Sequence, residues 1–335
     1  MITVKVPLQE AERAKQELMR QGYFLSGYSV QKEGDHLYFP VKERFDSPYA
    51  FEERALEARP EQPQGLRETL KGKLPADVLG RLKTAYDQVG DIAILEIDDK
   101  FKGYDATIGK ALLDTNPKLR TVLAKATGHE GAYRTQHMRL LAGEDKRVAV
   151  HKENGVSLIV DVEAVYFSAR LSTERKRIME RVQPGERVLV MFSGCGPYTC
   201  TLAKNTEAEE VVGVEINPRG HELAEENSKL NELTNVKNYK GDVREIVPEL
   251  GEFDRILMPL PRSAETFLDV ALGASHQGTI IHFYSFLHED DYAQADTWIQ
   301  GVCDRAGRRF ELLGSVKCGQ QAPRVFRWCT DVKIL

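Results

Sequence analysis

Apolar residues follow two different rhythms along this chain. From about residue 166, short apolar runs alternate with longer mixed stretches, which predicts strands near 187–191, 211–216, 236–241, 254–258 and 279–285 with helices between them. Pro197 and Pro218 each stand where a first helical turn should begin, a position that tolerates a missing amide hydrogen. Segments 310–318 and 325–334 leave no room for a helix and are expected to pair antiparallel. The pattern predicts a parallel sheet with helices on both faces and a terminal hairpin over 166–335, and it leaves the strand order open.

Before residue 166 the rhythm is less regular. Residues 1–42 predict a small α+β module: a strand over 3–6, an amphipathic helix around 8–21, and strands near 28–32 and 36–41 about the turn Glu33-Gly34-Asp35. So short a unit buries little surface and is expected to serve as a tethered binding module. Residues 43–70 carry three prolines, many charges and no clear period, which predicts a linker. Residues 71–165 predict an α+β middle domain without parallel-sheet rhythm. It would hold a strand over 91–97, a helix opening over 106–113, and a hairpin of 148–151 and 157–162 about Glu153-Asn154-Gly155.

Composition narrows the function classes. The 335 residues, 41% hydrophobic and 29% charged, are those of an ordinary soluble chain, and no apolar run approaches the roughly 20 residues of a membrane span. The start, MITVKVPLQEAERAK, lacks the apolar segment of a signal peptide, so a cytoplasmic protein is expected; separately, a monomer is expected. Five cysteines without a CxxC pair point to buried thiols, not to zinc or disulfides. His282 and His288 are six apart, which fits no usual ligand pair, and no metal is expected. The net charge of −5 argues weakly against nucleic acid. Yet Arg170, Arg175, Lys176, Arg177 and Arg181 share one predicted helix, and Arg305, Arg308, Arg309, Lys317, Arg324 and Arg327 fill the C-terminal region. Either a solvated face or contact with phosphate explains such clusters.

The most informative stretch is Val188-Leu-Val-Met-Phe-Ser-Gly-Cys-Gly-Pro197, followed by Val-Val-Gly-Val-Glu215. It reads as strand, glycine turn, helix start, and a second strand ending in a carboxylate that can accept both hydroxyls of an adenosine ribose. A dinucleotide site wants a third glycine so that pyrophosphate can approach the backbone, and Thr199 stands there instead. S-adenosylmethionine carries no pyrophosphate. With Glu215 and with Gly241-Asp242 closing the third strand, where a carboxylate can take the adenine amino group, that cofactor is favoured over NAD. The sheet pattern and terminal hairpin are then those of a Rossmann-like class I methyltransferase domain.

Longer segments carry a more specific likeness. Gly131-Ala-Tyr-Arg134, Val165-Tyr-Phe-Ser-Ala-Arg-Leu-Ser-Thr-Glu-Arg175, Met191-Phe-Ser-Gly-Cys-Gly-Pro197, Glu215-Ile-Asn-Pro218 and Met258-Pro-Leu-Pro261 resemble the archaeal and eukaryotic tRNA (guanine-37-N1)-methyltransferases over nearly the whole chain. The resemblance implies methyl transfer from S-adenosylmethionine to N1 of guanosine 37, with tRNA bound through its anticodon loop and its elbow, the latter by the N-terminal module. It implies Glu174 as general base, Arg134 as the arginine that steadies the guanine, and Tyr166 as an active-site aromatic. The cofactor set it implies is Arg175, Phe192, Gly194, Gly196, Glu215, Ile216, Asp242 and Val243. The substrate set is Arg170, Met258, Pro259 and Pro261.

These residue types suit the chemistry. Guanine N1 is a poor nucleophile until a carboxylate takes its proton, and a fixed guanidinium stabilises the charge that moves to O6. The guanine must leave the loop stack, where an aromatic such as Tyr166 could support it. Without the resemblance, Glu174 beside three basic residues reads as a salt-bridged helix start, Arg134 as an exposed arginine, and Tyr166 as core. Two departures stand out: Ala169 where proline is frequent, and Pro259 where many members carry asparagine. Proline offers only its carbonyl oxygen to the base edge, so the main chain of Met258 or Pro259 would have to substitute. Rival readings are an aminocarboxypropyl transferase on a wyosine precursor at the same tRNA position, a non-catalytic tRNA-binding protein, and a NAD oxidoreductase.

Overall fold

The computed structural model describes residues 1–58, 65–128, 131 and 133–335. Residues 59–64 of the expected linker and Ala132 of the Gly131–Arg134 motif lie outside the described residues. The chain divides into two compact units, Met1–Thr69 and Leu70–Leu335.

The first unit is a four-stranded antiparallel sheet in the order β2-β3-β1-β4, from β1 (Ile2–Pro7), β2 (Gln31–Glu33), β3 (His36–Pro40) and β4 (Ala50–Glu53). The helix Ala11–Arg20 buries Ala11, Ala14 and Leu18, spaced for one face, among Val4, Val6, Phe39 and Val41. Expecting a linker over 43–70 missed β4, which pairs with β1 residue by residue, Thr3 opposite Glu52. Its alternation is hidden among charges: Phe51 alone points inward, edge-on to Phe45, which stacks on Tyr23 at 4.2 Å.

In the second unit, β5 (Tyr86–Val89), β6 (Ile92–Leu95), β7 (Thr121–Lys125) and β8 (Met138–Gly143) form a sheet in chain order. β6 and β7 are parallel across the helix Asp105–Thr115, a crossover that the apolar pattern did not announce. The hairpin of β9 (Val148–Glu153) and β10 (Val156–Asp161) turns through Asn154 and Gly155, both at positive φ, as a two-residue turn requires.

That hairpin packs on the C-terminal half. Asn227 on the helix Pro218–Leu230 and Asn231 at its C-terminal cap, four residues apart, use their amides as a strand edge. Asn227 accepts from Ile159 N (2.6 Å) and donates to Ile159 O (3.0 Å); Asn231 does the same with Ser157 (2.9 and 2.7 Å). One buried cluster accordingly joins Val89, Ile92 and Leu158 to Cys195, Cys200 and Leu223. A boundary at 165/166 therefore cuts through continuous packing.

The C-terminal half is a seven-stranded sheet of β11 (Arg187–Met191), β12 (Glu210–Glu215), β13 (Val236–Lys240), β14 (Phe253–Met258), β15 (Ser275–His288), β16 (Phe310–Ala322) and β17 (Val325–Ile334). Its order is β13-β12-β11-β14-β15-β17-β16; the first five are parallel, and β17 runs antiparallel to both neighbours. Successive residues of β11 serve opposite cores. Val188 and Val190 join Val211, Leu257 and Tyr284, whereas Leu189 and Met191 join Val212, Ile256 and Phe283. This is a Rossmann-like sheet. The chain leaves β11 towards β12 and returns on the other side at β14, opening a crevice at the carboxyl ends of these strands.

Candidate active site

The crevice wall is built by the glycine turn. Phe192 (φ 60°), Gly194 (58°) and Gly196 (83°) are left-handed, and Gly196 starts the helix Pro197–Asn205. A Cβ on Gly196 would lie 2.9 Å from Thr199 Oγ1. The turn presents Gly194 N to Glu215 Oε2 (2.6 Å), and Asn217 N donates to Oε1 (2.7 Å). Glu215 is 9% exposed, and no cation pairs with it among the described residues. Burial pushes its carboxyl above the ordinary range, with the amides of Asn217 and Gly194 pulling the other way. Each carboxylate oxygen holds one amide and keeps further accepting capacity, as two vicinal hydroxyls require.

The neighbouring residues extend this wall. Ile216 is 40% exposed, an apolar surface beside the carboxylate. Phe192 packs edge-on against Phe267 at 4.9 Å. Asp242 caps the short helix Val243–Ile246 by accepting from Arg244 N (2.9 Å), while Val243 is buried. An amide-held buried acid, an exposed apolar side chain and a close-approach glycine turn fit the ribose, base and amino-acid end of S-adenosylmethionine.

Glu174, on the helix Ser172–Met179, faces the other side of the sheet and is 5% exposed. Arg177 grips it with both arms, Nε to Oε2 and Nη2 to Oε1, each at 2.7 Å, and the Tyr284 hydroxyl donates to Oε1 at 2.6 Å. Tyr284 also meets the Tyr198 hydroxyl at 2.9 Å. Arg177 continues to Asp331 (2.7 Å), which Arg181 and His282 Nδ1 also engage (2.8 and 2.6 Å). Burial lowers the basicity of Arg177, but the carboxylates of Glu174 and Asp331 outweigh it and raise it well above the usual guanidinium range. Burial alone would raise the Asp331 carboxyl, yet His282 and Arg177 hold it far below its usual range.

His282 reads as neutral. Arg255 Nη1 lies 2.8 Å from its Nε2, and a guanidinium can only donate, so Nε2 accepts and Nδ1–H points at Asp331. Burial also pulls the imidazole below its ordinary value. His282, Cys329 and Asp331 come together closely enough to suggest a metal cluster. Both imidazole nitrogens are committed, however, and two guanidiniums already occupy Asp331.

Tyr166, Arg134 and the loop after β14 form the rim. A Cβ on Gly194 would come within 3.7 Å of Tyr166 O, so this segment borders the glycine turn. The Tyr166 hydroxyl accepts from Arg327 Nη2 at 2.7 Å. Arg134 has φ 54°; burial and the nearby Arg262 lower it, against an opposing effect of Tyr166. In the loop, Met258 O takes Leu260 N (2.8 Å) and Pro261 O takes Phe286 N (3.1 Å).

Several of the expected site residues have partners that the sequence did not announce. Arg175 is 1% exposed, with its guanidinium paired to buried Glu153 through Nε and Nη2 and donating to Ser168 O at 3.0 Å. Burial opposes ionisation of Glu153, but His151 and Arg175 more than compensate and lower it. Arg175 thus ties the hairpin to the helix start. Arg170 is paired with Asp87 at 2.5 Å. Lys176 pairs with Glu180, and Arg177 and Arg181 pair with Asp331; Arg175 and Arg177 are withdrawn from solvent, whereas Arg170, Lys176 and Arg181 keep exposed side chains. All five cysteines are free thiols; burial pushes Cys195 and Cys200 up to about 12. Sequence reasoning missed Glu153, Arg255, Tyr284, Asp331 and the role of Arg327. The signal for three of them was a charged residue inside an apolar strand: Arg255, Arg327 and Asp331.

Comparison with known proteins agrees with this architecture. Family models match at residues 3–50 (tRNA methyltransferase 5 N-terminal domain), 66–146 (TYW2 N-terminal domain) and 149–309 (TRM5/TYW2 methyltransferase domain). The tRNA (guanine(37)-N(1))-methyltransferase Trm5b of Pyrococcus abyssi is 37% identical over 99% of both chains. Among solved structures, the complex of aTrm5 and tRNALeu is 29% identical over 100% of both chains, with a TM-score of 0.73. Methanocaldococcus jannaschii Trm5 in complex with adenosine is 28% identical over 100% of this chain and 99% of that one, with a TM-score of 0.69. With a relative of that identity matched from end to end, the chain belongs to the tRNA (guanine(37)-N(1))-methyltransferase family.

Proposed function

We propose that this protein transfers the methyl group of S-adenosylmethionine to N1 of guanosine 37 in tRNA. The observation that carries this reading is the buried Glu215, held by two amides beside exposed Ile216 at the switch point of a chain whose full-length relatives carry that name. When bound, the cofactor supplies an activated methyl group, so the protein's task is alignment and proton handling.

In this reading Arg134 donates to guanine O6, and Tyr166 supports the extruded base. Glu174 takes the N1 proton at Oε2, which holds one donor where Oε1 already holds two. With Met258 O bonded within the loop and Pro261 O bonded to Phe286 N of β15, Pro259 O is the main-chain acceptor offered to the guanine edge donors, in place of an asparagine amide. The residues of unit Met1–Thr69 bind the tRNA elbow. Incubation with methyl-labelled cofactor and a guanosine-37 transcript, followed by mass mapping of the anticodon loop, tests the whole reading. Label is expected at N1 of guanosine 37; an aminocarboxypropyl mass, or no product beside intact cofactor binding, rejects it.

A further inference from the structure

Nearly every basic residue of the two sequence clusters that is not fully solvated finds a carboxylate or carbonyl; Arg327 stands apart. It is 7% exposed, its Nε is buried without a partner, and no carboxylate pairs with it among the described residues. Its contacts are the Tyr166 hydroxyl and two aromatic faces, Phe286 at 5.1 Å and Tyr166 at 5.8 Å. A buried cation without a counter-charge is costly and is retained where a ligand brings the charge. Nearby, exposed Arg262 directly follows Pro261, and its charge acts on Arg134, so guanidiniums gather about Tyr166.

The position of Arg327 in the sheet selects among anions. It lies on β17, three strands from β11 and its glycine turn. At about 4.8 Å per strand its backbone is about 14 Å from that turn, and its guanidinium is directed to the far, hydroxyl end of Tyr166, whose main chain borders the turn. Arg327 borders the rim over which an extruded nucleotide must pass, where the backbone presents phosphodiesters. We propose that Arg327, assisted by Arg262, seats an RNA phosphodiester adjacent to the extruded guanosine. Arg327 thus clamps the backbone while its Nη2 holds the Tyr166 hydroxyl. This rests on the reading of tRNA as substrate.

The test measures binding of a guanosine-37 tRNA transcript to the full-length protein across a salt series. Arg327→Gln should weaken binding about tenfold at low salt. It should also make the slope of log affinity against log salt shallower by about 0.7–0.9, the signature of one lost phosphate contact. Arg327→Lys should restore the slope but not all the affinity, being a point charge without the fork. S-adenosylmethionine affinity by calorimetry should be unchanged. An unaltered slope in folded Arg327→Gln overturns the proposal, as does lost cofactor affinity or relaxed discrimination against inosine 37 at constant slope. Independently of any variant, wild-type protein should bind about tenfold more weakly to an anticodon stem-loop with a neutral methylphosphonate at a linkage beside position 37; equal affinity at both linkages also overturns it. If the wild type gives no methylated guanosine 37 while the methylphosphonate effect persists, the reaction assignment fails and the phosphate seat stands.

Discussion

Replacing Glu174 with Gln separates a catalytic carboxylate from a structural one, because the two roles predict opposite patterns of damage. The side chain is buried and holds three hydrogen bonds, two from Arg177 and one from Tyr284. Breaking a buried ion pair costs about 3–5 kcal/mol when it orphans the partner charge. Here Arg177 keeps Asp331 at 2.7 Å, so about 2–3 kcal/mol is expected. A domain of ordinary stability, about 5–15 kcal/mol, survives that loss. Loss of a general base should slow the chemical step about 10²–10⁴-fold, or about 3–5 kcal/mol in the barrier. The assay is single-turnover methyl transfer at saturating tRNA and cofactor, well below the unfolding midpoint, normalised to the folded fraction measured by stoichiometric cofactor binding. Urea unfolding gives the stability change in parallel. A variant that is less stable but turns over at the wild-type rate per folded molecule refutes the assignment and leaves Glu174 a strut for Arg177.

Further outcomes are expected. Because His282 lies below its unfolded value, its stability contribution is present above about pH 6.5 and is lost as pH falls through the folded value; a urea midpoint flat down to the carboxylate range would reject this. Asp331, also depressed, adds a second loss only below its unfolded value of about pH 4. Gly196→Ala forces a left-handed alanine with its Cβ 2.9 Å from Thr199 Oγ1, so stability should fall by about 1–2 kcal/mol and cofactor affinity about tenfold; an unchanged calorimetric titration would count against the turn as a cofactor wall. Glu215→Gln keeps an acceptor but sets an amide against Gly194 N or Asn217 N, and cofactor affinity should fall at least tenfold, with retention arguing against a ribose contact. Removing Met1–Thr69 should weaken tRNA binding but not cofactor binding; a cut at residue 42 would instead leave β4 without β1, and equal tRNA affinity of the shorter chain would refute the module's role.

The parts legible in sequence were those fixed by local rules. Alternating apolar runs located all seven strands of the large sheet: the two faces of inner strands such as β11 enter different cores, and the edge strands β13 and β16 were marked by their place in the alternation and by the hairpin. The glycine turn was legible because positive φ at Gly194 and Gly196 needs that residue type. What stayed hidden depended on distant pairing. Asp331 is joined to Arg177 across 154 residues, and Tyr166 to Arg327 across 161, only because β17 reverses direction beside β15. The helix Ser172–Met179 showed its charges but not their partners, so the pairing of Arg175 with Glu153, which lay in a hairpin turn assigned to another domain, was not foreseen. β4 was invisible because one inward phenylalanine among charged neighbours makes no period.

The reversal of β17 also explains how a buried acid could change charge at all. Along the face shared by β15 and β17, the cross-strand pairs run Phe286–Arg327, Tyr284–Cys329 and His282–Asp331, each about 7 Å below the last. Glu174 sits at the middle pair, beneath the rim cation and above the acid that holds Arg177 from below. With His282 neutral, Glu174, Asp331 and Glu186 face the guanidiniums of Arg177 and Arg255 inside, and the exposed Arg181 reaches in to Asp331 to balance the set. A proton arriving on Glu174 Oε2 displaces the Arg177 Nε contact, but the guanidinium remains on Asp331 and is never left buried without an anion. In the proposed mechanism, Asp331 and its neutral histidine are therefore what would let a carboxylate in this position act as a base without unfolding the helix that carries it.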